Sequence, residues 1–585
     1  MPITFFNQPY LKIKIKTGEQ IIIQGTWDGR YLSMTGMKII AMGEMDALGK
    51  LEPVYPANKK VKQHVIIKLI EQAYQAFKAE FIDLIPTDIM NKYQLLHFSD
   101  AVGKMHFPMD VDEFKQARRT LVFEELFIYQ MRMQNIRRKQ RQLNSGTPVL
   151  YNVDELKAFI SSLPFELTNA QKRSINELCR DIRKPIQMSR LLQGDVGSGK
   201  TVVAASLLFA VFSAGMQGAL MAPTEILAEQ HMHNLSKLFE PFNLKLALLT
   251  GSLKPKEKKE LYEQIKAGEI NIVIGTHALI QDQVEFKNLG LAITDEQHRF
   301  GVNQRNKLAA KGNHTDVLSM TATPIPRTLA ITVYGEMDVS TLDELPAGRK
   351  PIKTNWVRQS QENTVIDLVR KQLEEKSQVY VVSPLIEESE KMDLKNVTDL
   401  KDRYAEMFEP RYRVGLLHGQ LSNEEKEDVM KQFKNHDLDI LVSTTVIEVG
   451  VDVPNATFMI IYDADRFGLA QLHQLRGRVG RGAKESACIL IAEAKTEIAK
   501  ERMNIMTQTN DGFLLSEKDL ELRGPGDLFG KKQCGLPDFK VADVIIDRAA
   551  LEVAREEAIK LIISDEFYTD SAYTDLRKKV GIRLK

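Results

Sequence analysis

Residues Leu191–Thr201 read LLQGDVGSGKT, and within them Gly194-Asp195-Val196-Gly197-Ser198-Gly199-Lys200-Thr201 fits G-x-x-x-x-G-K-[ST] without a mismatch. The apolar residues before it suit a buried strand, and Val202 to Phe212, rich in Ala, Val and Leu, suits a helix. Strand, loop and helix are the setting a phosphate-binding loop needs. Gly194, Gly197 and Gly199 let backbone N–H groups turn onto phosphate oxygens where a side chain would block the approach. The helix N-terminus adds partial positive charge. Lys200 is expected to reach the β- and γ-phosphates and Thr201 to hold Mg²⁺. With Gly at about 7% of residues, the pattern arises by accident on the order of once in a hundred chains of this length. Binding of a nucleoside triphosphate is therefore the expectation.

The chain has 585 residues, too many for one core, so several domains are expected. A hydrophobic fraction of 43% and a charged fraction of 27% are ordinary for a globular protein. No apolar run approaches the roughly 18–20 residues of a membrane span, and MPITFFNQPY lacks the pattern of an export signal. Cys179, Cys488 and Cys534 form no C-x-x-C pair, which argues against a zinc cluster or disulfide framework. A reducing, cytoplasmic setting is expected. Net charge is +1, but residues 1–70 hold ten Lys/Arg against five Asp/Glu, a basic front end.

Before the phosphate loop, Leu11–Lys16 alternates with period two and reads as a half-buried strand. Strands are also expected at Gln20–Gln24, Tyr31–Met34 and Met37–Met42, and such short strands with glycine turns suggest part of a small barrel. From Lys62 the period turns helical, with further helices at Thr87–Leu96 and Asp112–Arg141. In the last of these, Arg118, Arg119, Arg132, Arg137, Arg138 and Lys139 are expected to face outward. Asn144–Pro148 marks a boundary. After it, apolar runs recur between helix-like segments: Ala219–Ala222, Leu244–Leu249, Ile270–Ile274, Leu289–Ile293 and Val317–Met320. A second series follows at Val379–Val382, Val414–Leu417, Ile440–Ser443, Phe458–Tyr462 and Ala487–Ile491. Strands alternating with helices imply mostly parallel sheets, whose ligands sit at the carboxyl ends of strands. Asp295-Glu296-Gln297-His298 falls at such an end, where Asp295 would bind Mg²⁺ and Glu296 would orient or deprotonate the attacking water. The second series has no phosphate loop of its own, which suits a lobe that closes over the nucleotide held by the first.

These motifs, with Met221–Glu225 and Met320–Pro324, resemble those of superfamily 2 helicases and translocases. The resemblance implies that Gln171, following Phe165–Thr168, reads the adenine edge. It implies that Thr321 and Thr323 couple hydrolysis to motion, and that Thr224, Thr250 and Gly251 touch the DNA backbone. Gln474–Arg481 resembles the sixth motif, Q-x-x-G-R-x-G-R. Arg478 and Arg481 are fork-shaped donors suited to a transferring phosphoryl group, with Arg481 as the arginine finger. Thr444–Asp452 resembles the fifth motif and places Gly450 and Asp452 at the nucleotide. His231, His233 and His418 have no metal-ligand setting and read as packing or loop residues.

Residues 513–535 resemble the TRG segment shared by the RecG family and the transcription-repair coupling factor Mfd. By that resemblance it forms a helical hairpin and loop that relay motor closure to DNA, through Arg502, Arg523 and Gln533. The opening FFNQPYL resembles the RecG wedge, an OB-fold barrel that splits junctions, so Phe6 and Tyr10 would stack on exposed bases. RecG proteins usually carry more chain before this point, so the resemblance implies a partial barrel in a shortened or fragmentary chain lacking the usual N-terminal region.

The expected fold is α/β: two RecA-like parallel-sheet motor lobes with a partial N-terminal OB-fold β-barrel, a helical linker and a C-terminal helical hairpin. The expected divisions are 1–60 wedge, 61–150 linker, 151–350 ATP-binding lobe, 351–500 C-terminal lobe, and 501–585 TRG hairpin, loop and C-terminal segment. The implied activity is ATP- and Mg²⁺-dependent translocation on double-stranded DNA, remodelling stalled forks and Holliday junctions in recombination and repair. The protein would act as a monomer on branched DNA, with single-strand-binding protein a further candidate partner. The basic Arg577–Lys585 stretch reads as a solvated tail that could serve such a contact. Three rivals are an RNA-acting relative, a non-catalytic junction-binding protein and an Mfd-like duplex translocase. The intact Lys200, Thr201, Asp295, Glu296 and Arg481 argue against the second.

Overall fold

The computed structural model describes residues 2–5, 11, 15, 22–28, 33–40, 51, 53–56, 61–143, 146–324, 337–346, 350–384, 390–445, 452–482, 484–523, 539–544 and 546–582. The chain divides into two units, Met1–Met131 with Phe539–Ala542 and Ala549–Lys585, and Arg132–Asp538 with Asp543–Arg548.

In the first unit, strands β1 (Ile3–Thr4), β2 (Ile22–Asp28) and β3 (Ser33–Ile40) form a sheet in the order β1-β3-β2. The two expected strands at Tyr31–Met34 and Met37–Met42 are one, β3, paired antiparallel with β2 across a register shift at Gln24/Gly25. Leu11 departs from expectation: it is helical, and its carbonyl accepts from the Ile15 N–H at 3.0 Å, an i to i+4 bond. The alternation of Lys and Ile there does not decide between strand and helical turn. The rest of the barrel reading falls on residues outside those described.

The helices of this unit include Gln63–Phe77, Thr87–Tyr93, Phe98–His106 and Arg548–Ile563 from residue 549 onward. Ile89, Met90, Phe123, Leu126 and Phe127 share one core with Leu551, Ala558, Phe567, Leu576 and Val580. The end of the chain thus packs with the early helices. Arg577 is buried and donates to the carbonyls of Phe567 (2.6 Å) and Asp570 (2.7 Å). The stretch from Arg577 to Val580 is therefore a packed helix end, not the solvated tail its basic residues suggest. Its guanidinium satisfies carbonyls that would otherwise be stranded.

The second unit holds two sheets whose neighbouring strands are all parallel. The first contains β4 (Ser189–Gly194), β5 (Gln217–Met221), β6 (Leu246–Leu249), β7 (Ile272–Gly275), β8 (Leu289–Thr294), β9 (Asp316–Thr321) and β10 (Asp338–Leu342), in the order β10-β4-β9-β8-β5-β7-β6. The second contains β11 (Lys353–Val357), β12 (Gln378–Val382), β13 (Val414–Leu417), β14 (Ile440–Ser443), β15 (Ala456–Ile461) and β16 (Ala487–Ile491), in the order β11-β16-β15-β12-β14-β13. Helices cover the faces, so the central strands read as unbroken apolar runs. The helix Lys200–Ser213 is buried on nearly every side, which explains its lack of a polar face. Two helices, Glu497–Gln508 and Gly512–Arg523, form the C-terminal hairpin. Arg137, expected to face outward, is buried and ion-paired with Asp338 at the start of β10. Among the described residues no helix is long and apolar enough to cross a membrane.

Glu557 supplies a test of the first unit. It accepts from Lys92 (2.8 Å), Tyr93 (2.9 Å) and Lys560 (3.1 Å). Burial pushes its carboxyl up, but these partners outweigh that and hold it at about 2. A depressed carboxyl supplies stability in full above its unfolded value and loses it as pH falls through the folded one. Glu557→Gln should lower hydrogen-exchange protection of Thr87–Tyr93 at pH 7 by about 1–3 kcal/mol. The gap between parent and variant should close as pH falls from about 4.3 toward about 2.

Candidate functional site

The parallel register brings three loops to one edge of the first sheet. Gln193 on β4 pairs with Thr321 on β9, and Thr294 on β8 pairs with Ser319 on β9. The phosphate loop, Asp295-Glu296 and Thr321–Thr323 therefore leave the sheet side by side, at its carboxyl edge.

The loop demands its glycines. Gly197 and Gly199 have φ of +77° and +84°, a region that costs L-residues roughly 1–2 kcal/mol. A Cβ on Gly199 would stand 2.2 Å from Gln171 Nε2, and one on Gly194 would stand 2.5 Å from Ser198 Oγ. Gln171 is 2% exposed. Its Oε1 accepts from the Thr168 N–H at 2.9 Å, closing a capping box, and its Nε2 donates to the Ser198 carbonyl at 2.9 Å. The adenine-contacting candidate thus also holds the phosphate loop. An amide has two donor hydrogens and two acceptor lone pairs, so each end keeps a further bond to offer. Lys200 curls back, its Nζ donating to the carbonyls of Gly194 (2.7 Å) and Asp195 (2.9 Å). Thr201 follows it in the first turn of the helix.

Asp295 lies against a residue the sequence did not single out as functional. His231, 4% exposed on the helix Glu225–Phe239, meets Asp295 Oδ2 through Nε2 at 2.8 Å. Burial pushes the Asp295 carboxyl up; His231, Lys200 and the Glu296 N–H outweigh this and hold it below the ordinary carboxylate range. No local signal marks the pair, because the partners are 64 residues apart. Glu296 has φ of +48°, a conformation uncommon outside glycine that concentrates at functional sites. Its Oε2 accepts from the Ala322 N–H at 3.3 Å and lies 3.7 Å from His298 Nδ1. Thr321 and Thr323 join through their hydroxyls at 2.7 Å.

The second lobe faces this cluster with the helix Leu469–Arg476 and the segment after it. Arg478 is buried. Arg481 is ion-paired with Asp452, and its Nε donates to the Gly477 carbonyl at 3.3 Å. Asp452 in turn exchanges two hydrogen bonds with Gln230 of the first lobe, at 2.9 and 3.2 Å. A Cβ on Gly477 would lie 3.1 Å from Val196 of the phosphate loop, so the lobes touch there. Electrostatics agree with this geometry. The Lys200 ammonium is lowered first by burial; Glu296, Asp295 and Asp195 oppose that shift, and Arg481 from the other lobe adds to it.

The remaining candidates form other groups. Thr224 caps the helix Glu225–Phe239 by accepting from the Leu227 N–H. Glu225 accepts from the N–H groups of Gly251 (2.7 Å) and Ser252 (3.2 Å), while Thr250 Oγ1 meets Ser252 Oγ at 3.0 Å. Thr224, Thr250 and Gly251 are thereby held in one cluster. Arg502 donates to the carbonyls of Asp465 (3.0 Å) and Phe467 (3.2 Å), just ahead of the helix Leu469–Arg476. Arg523 ends the helix Gly512–Arg523. Phe6, Tyr10, Gly450 and Gln533 lie outside the described residues.

Two parallel-sheet lobes, one with a phosphate loop and acidic pair and the other presenting arginines to it, are the architecture of a nucleotide-driven motor. Residues 168–331 match the DEAD/DEAH box helicase model and 360–483 the helicase conserved C-terminal domain. Residues 509–581 match ATP-dependent DNA helicase RecG, domain 3, C-terminal. The chain is 52% identical over 575 residues to ATP-dependent DNA helicase RecG of Bacillus subtilis (strain 168), covering 98% of this chain and 84% of that one. It is 52% identical over 557 residues to the protein of the same name from Streptococcus pneumoniae serotype 4, covering 95% and 82%. A solved structure of RecG bound to a three-way DNA junction superposes with a TM-score of 0.74 at 42% identity, covering 94% of this chain and 73% of that one. The chain belongs to the RecG family of ATP-dependent DNA helicases, enzymes that hydrolyse ATP to act on DNA.

His231 is the testable surprise of the site. Removing it strands a buried carboxylate, at a cost of about 1–3 kcal/mol. His231→Ala should lower DNA-stimulated ATP hydrolysis on the order of ten-fold, and His231→Gln, which keeps a donor, should recover part of that. Steady-state ATPase rates check it; an unchanged His231→Ala rate contradicts it.

Proposed function

We propose that the chain is a double-stranded DNA translocase that remodels branched DNA, at stalled replication forks and Holliday junctions, with ATP hydrolysed between its two lobes. One observation carries this reading: the lobe holding Lys200, Asp295 and Glu296 meets the arginine-bearing segment of the second, at Val196 against Gly477 and at Gln230 against Asp452, the ion-pair partner of Arg481. The loop amides after Gly194, with Gly197 and Gly199, would wrap the phosphates. Lys200 would leave its own loop's carbonyls for the β- and γ-phosphates. Gln171 would offer its remaining amide bonds to the adenine, and Gly450 and Asp452 would also contribute to nucleotide binding.

Among the described residues no group of three or more His, Cys, Asp or Glu could hold a metal ion. A magnesium ion arriving with the phosphates would be held by Thr201 and Asp295, which suits an ion that keeps several waters. Bound there, it would neutralise charge on the phosphates. Glu296 would orient the attacking water. Arg481, with Arg478 behind it, would stabilise charge on the transferring phosphoryl group once freed from Asp452.

On the DNA side, Thr224, Thr250 and Gly251 would meet the backbone, and Phe6 and Tyr10 would stack on bases at the branch. Arg502, Arg523 and Gln533 would couple motor to DNA. The 42% identical RecG structure with its three-way junction supports branched DNA as the track. Binding should weaken steeply with salt, because phosphate contacts dominate.

The deciding experiment compares steady-state ATPase on forked DNA, linear duplex and RNA of equal length. Forked DNA should stimulate most, and raising salt from about 50 to about 200 mM should lower its apparent affinity by at least about ten-fold. Equal stimulation by RNA would overturn the reading.

A further inference from the structure

Gln230 makes two bonds to a single residue of the second lobe. Its Nε2 donates to Asp452 Oδ2 at 2.9 Å, and its Oε1 accepts from the Asp452 N–H at 3.2 Å. A backbone N–H can only donate and an ionised carboxylate can only accept, so the amide fits in one orientation. Both the backbone and the carboxylate of Asp452 are fixed by it. With Oδ2 engaged across the lobes, Oδ1 is left for Arg481, its ion-pair partner. Arg481 Nε in turn donates to the Gly477 carbonyl at 3.3 Å. The guanidinium is thus occupied within its own lobe, and donors spent on a carboxylate are not free for a phosphoryl group.

The helix that carries Gln230, Glu225–Phe239, begins at the loop after β6. Its first residue, Glu225, accepts from the N–H groups of Gly251 and Ser252 and from the Ser252 hydroxyl, the last at 2.5 Å. Gly251 and Ser252 are themselves exposed. One residue further along the helix, Ile226 packs against the core of the second lobe. The seam around it is opposed by charge. Burial pushes up the carboxyl of Glu427, on the second-lobe helix Asn423–Lys434, and Glu225 and Glu229 of the first lobe add to that shift against Lys431. Like charges facing one another make this seam easy to part, and the Gln230 amide bridges it.

We propose that Gln230 is a positioning residue that stores Arg481 on Asp452 until DNA at the Thr250–Ser252 loop shifts the helix Glu225–Phe239 and lets the guanidinium go. A phosphate oxygen that takes the Gly251 and Ser252 N–H groups competes with the Glu225 carboxylate for the same donors. Displacing Glu225 loosens the first turn of the helix, and Gln230 lies about a turn and a half beyond it. The inference rests on the reading above of Arg481 as the arginine that meets the phosphoryl group and of Gly251 as a DNA contact.

Steady-state ATP hydrolysis by the full chain, with and without forked DNA, tests it. Gln230→Ala should raise the DNA-free kcat by at least about three-fold while kcat at saturating DNA, and KM for ATP, stay within about two-fold of the parent. Gln230→Met, which keeps the length of the side chain without its amide, should do the same. Adding Arg481→Ala to either variant should abolish the gain. A DNA-free rate that stays at the parent level or falls in both variants, or a gain that survives Arg481→Ala, would overturn the proposal. Arg481→Ala alone separates the two readings. Normal hydrolysis by that variant would sink the reading of the site, whereas a crippled Arg481→Ala with no gain from Gln230→Ala would sink the storage of the arginine alone.

Discussion

A lysine ammonium folded back onto the carbonyls of its own loop is the constraint around which the motor is arranged. Lys200 is held by Gly194 and Asp195, and burial disfavours its charge. A buried cation is tolerable only with opposite charge close by. Asp295 and Glu296 supply that charge from the neighbouring strand end of the same lobe. Arg481, brought by the second lobe, works in the other direction: it makes an already crowded cationic site ready for an anion. A polyphosphate suits such a pocket in charge. Under the function proposed above, both lobes contribute to that pocket, and the second then needs no phosphate loop of its own.

The helix Leu469–Arg476 joins this chemistry to the rest of the chain. Asp519, on the second hairpin helix, accepts from the Leu469 N–H at 3.1 Å and so caps its beginning. Arg502, on the first hairpin helix, holds the turn before it. Arg476 ties its end to the hairpin carbonyls. Charge-assisted bonds of this kind are shorter and roughly twice as strong as neutral ones. Three such attachments fasten the hairpin to both ends of the helix Leu469–Arg476.

Much of the fold was legible because buried parallel strands advertise themselves. Val414–Leu417, Ile440–Ser443 and Ala487–Ile491 were readable to the residue as runs of apolar side chains. Strands β10 and β11 were not, because DVSTL and KTNWV are edge strands that carry polar residues on a half-covered face. Arg137 looked like part of a solvated basic face, since nothing nearby in sequence announces Asp338. The phosphate loop and acidic pair were visible because their chemistry fixes local spacing. His231, His473 and Gln230 were invisible for the opposite reason. Each acts on a partner 64 to 278 residues away, and one histidine on a helix carries no mark of what it faces.

The claim that one nucleotide site is built from both lobes has a direct test in binding alone. Arg481→Ala should bind ADP within about two-fold of the parent chain, because the loop and Lys200 remain. Its affinity for ADP with aluminium fluoride, a mimic of the transferring phosphoryl group, should fall at least about a hundred-fold. Equal loss for both ligands, or no loss for either, would contradict a site that the second lobe completes.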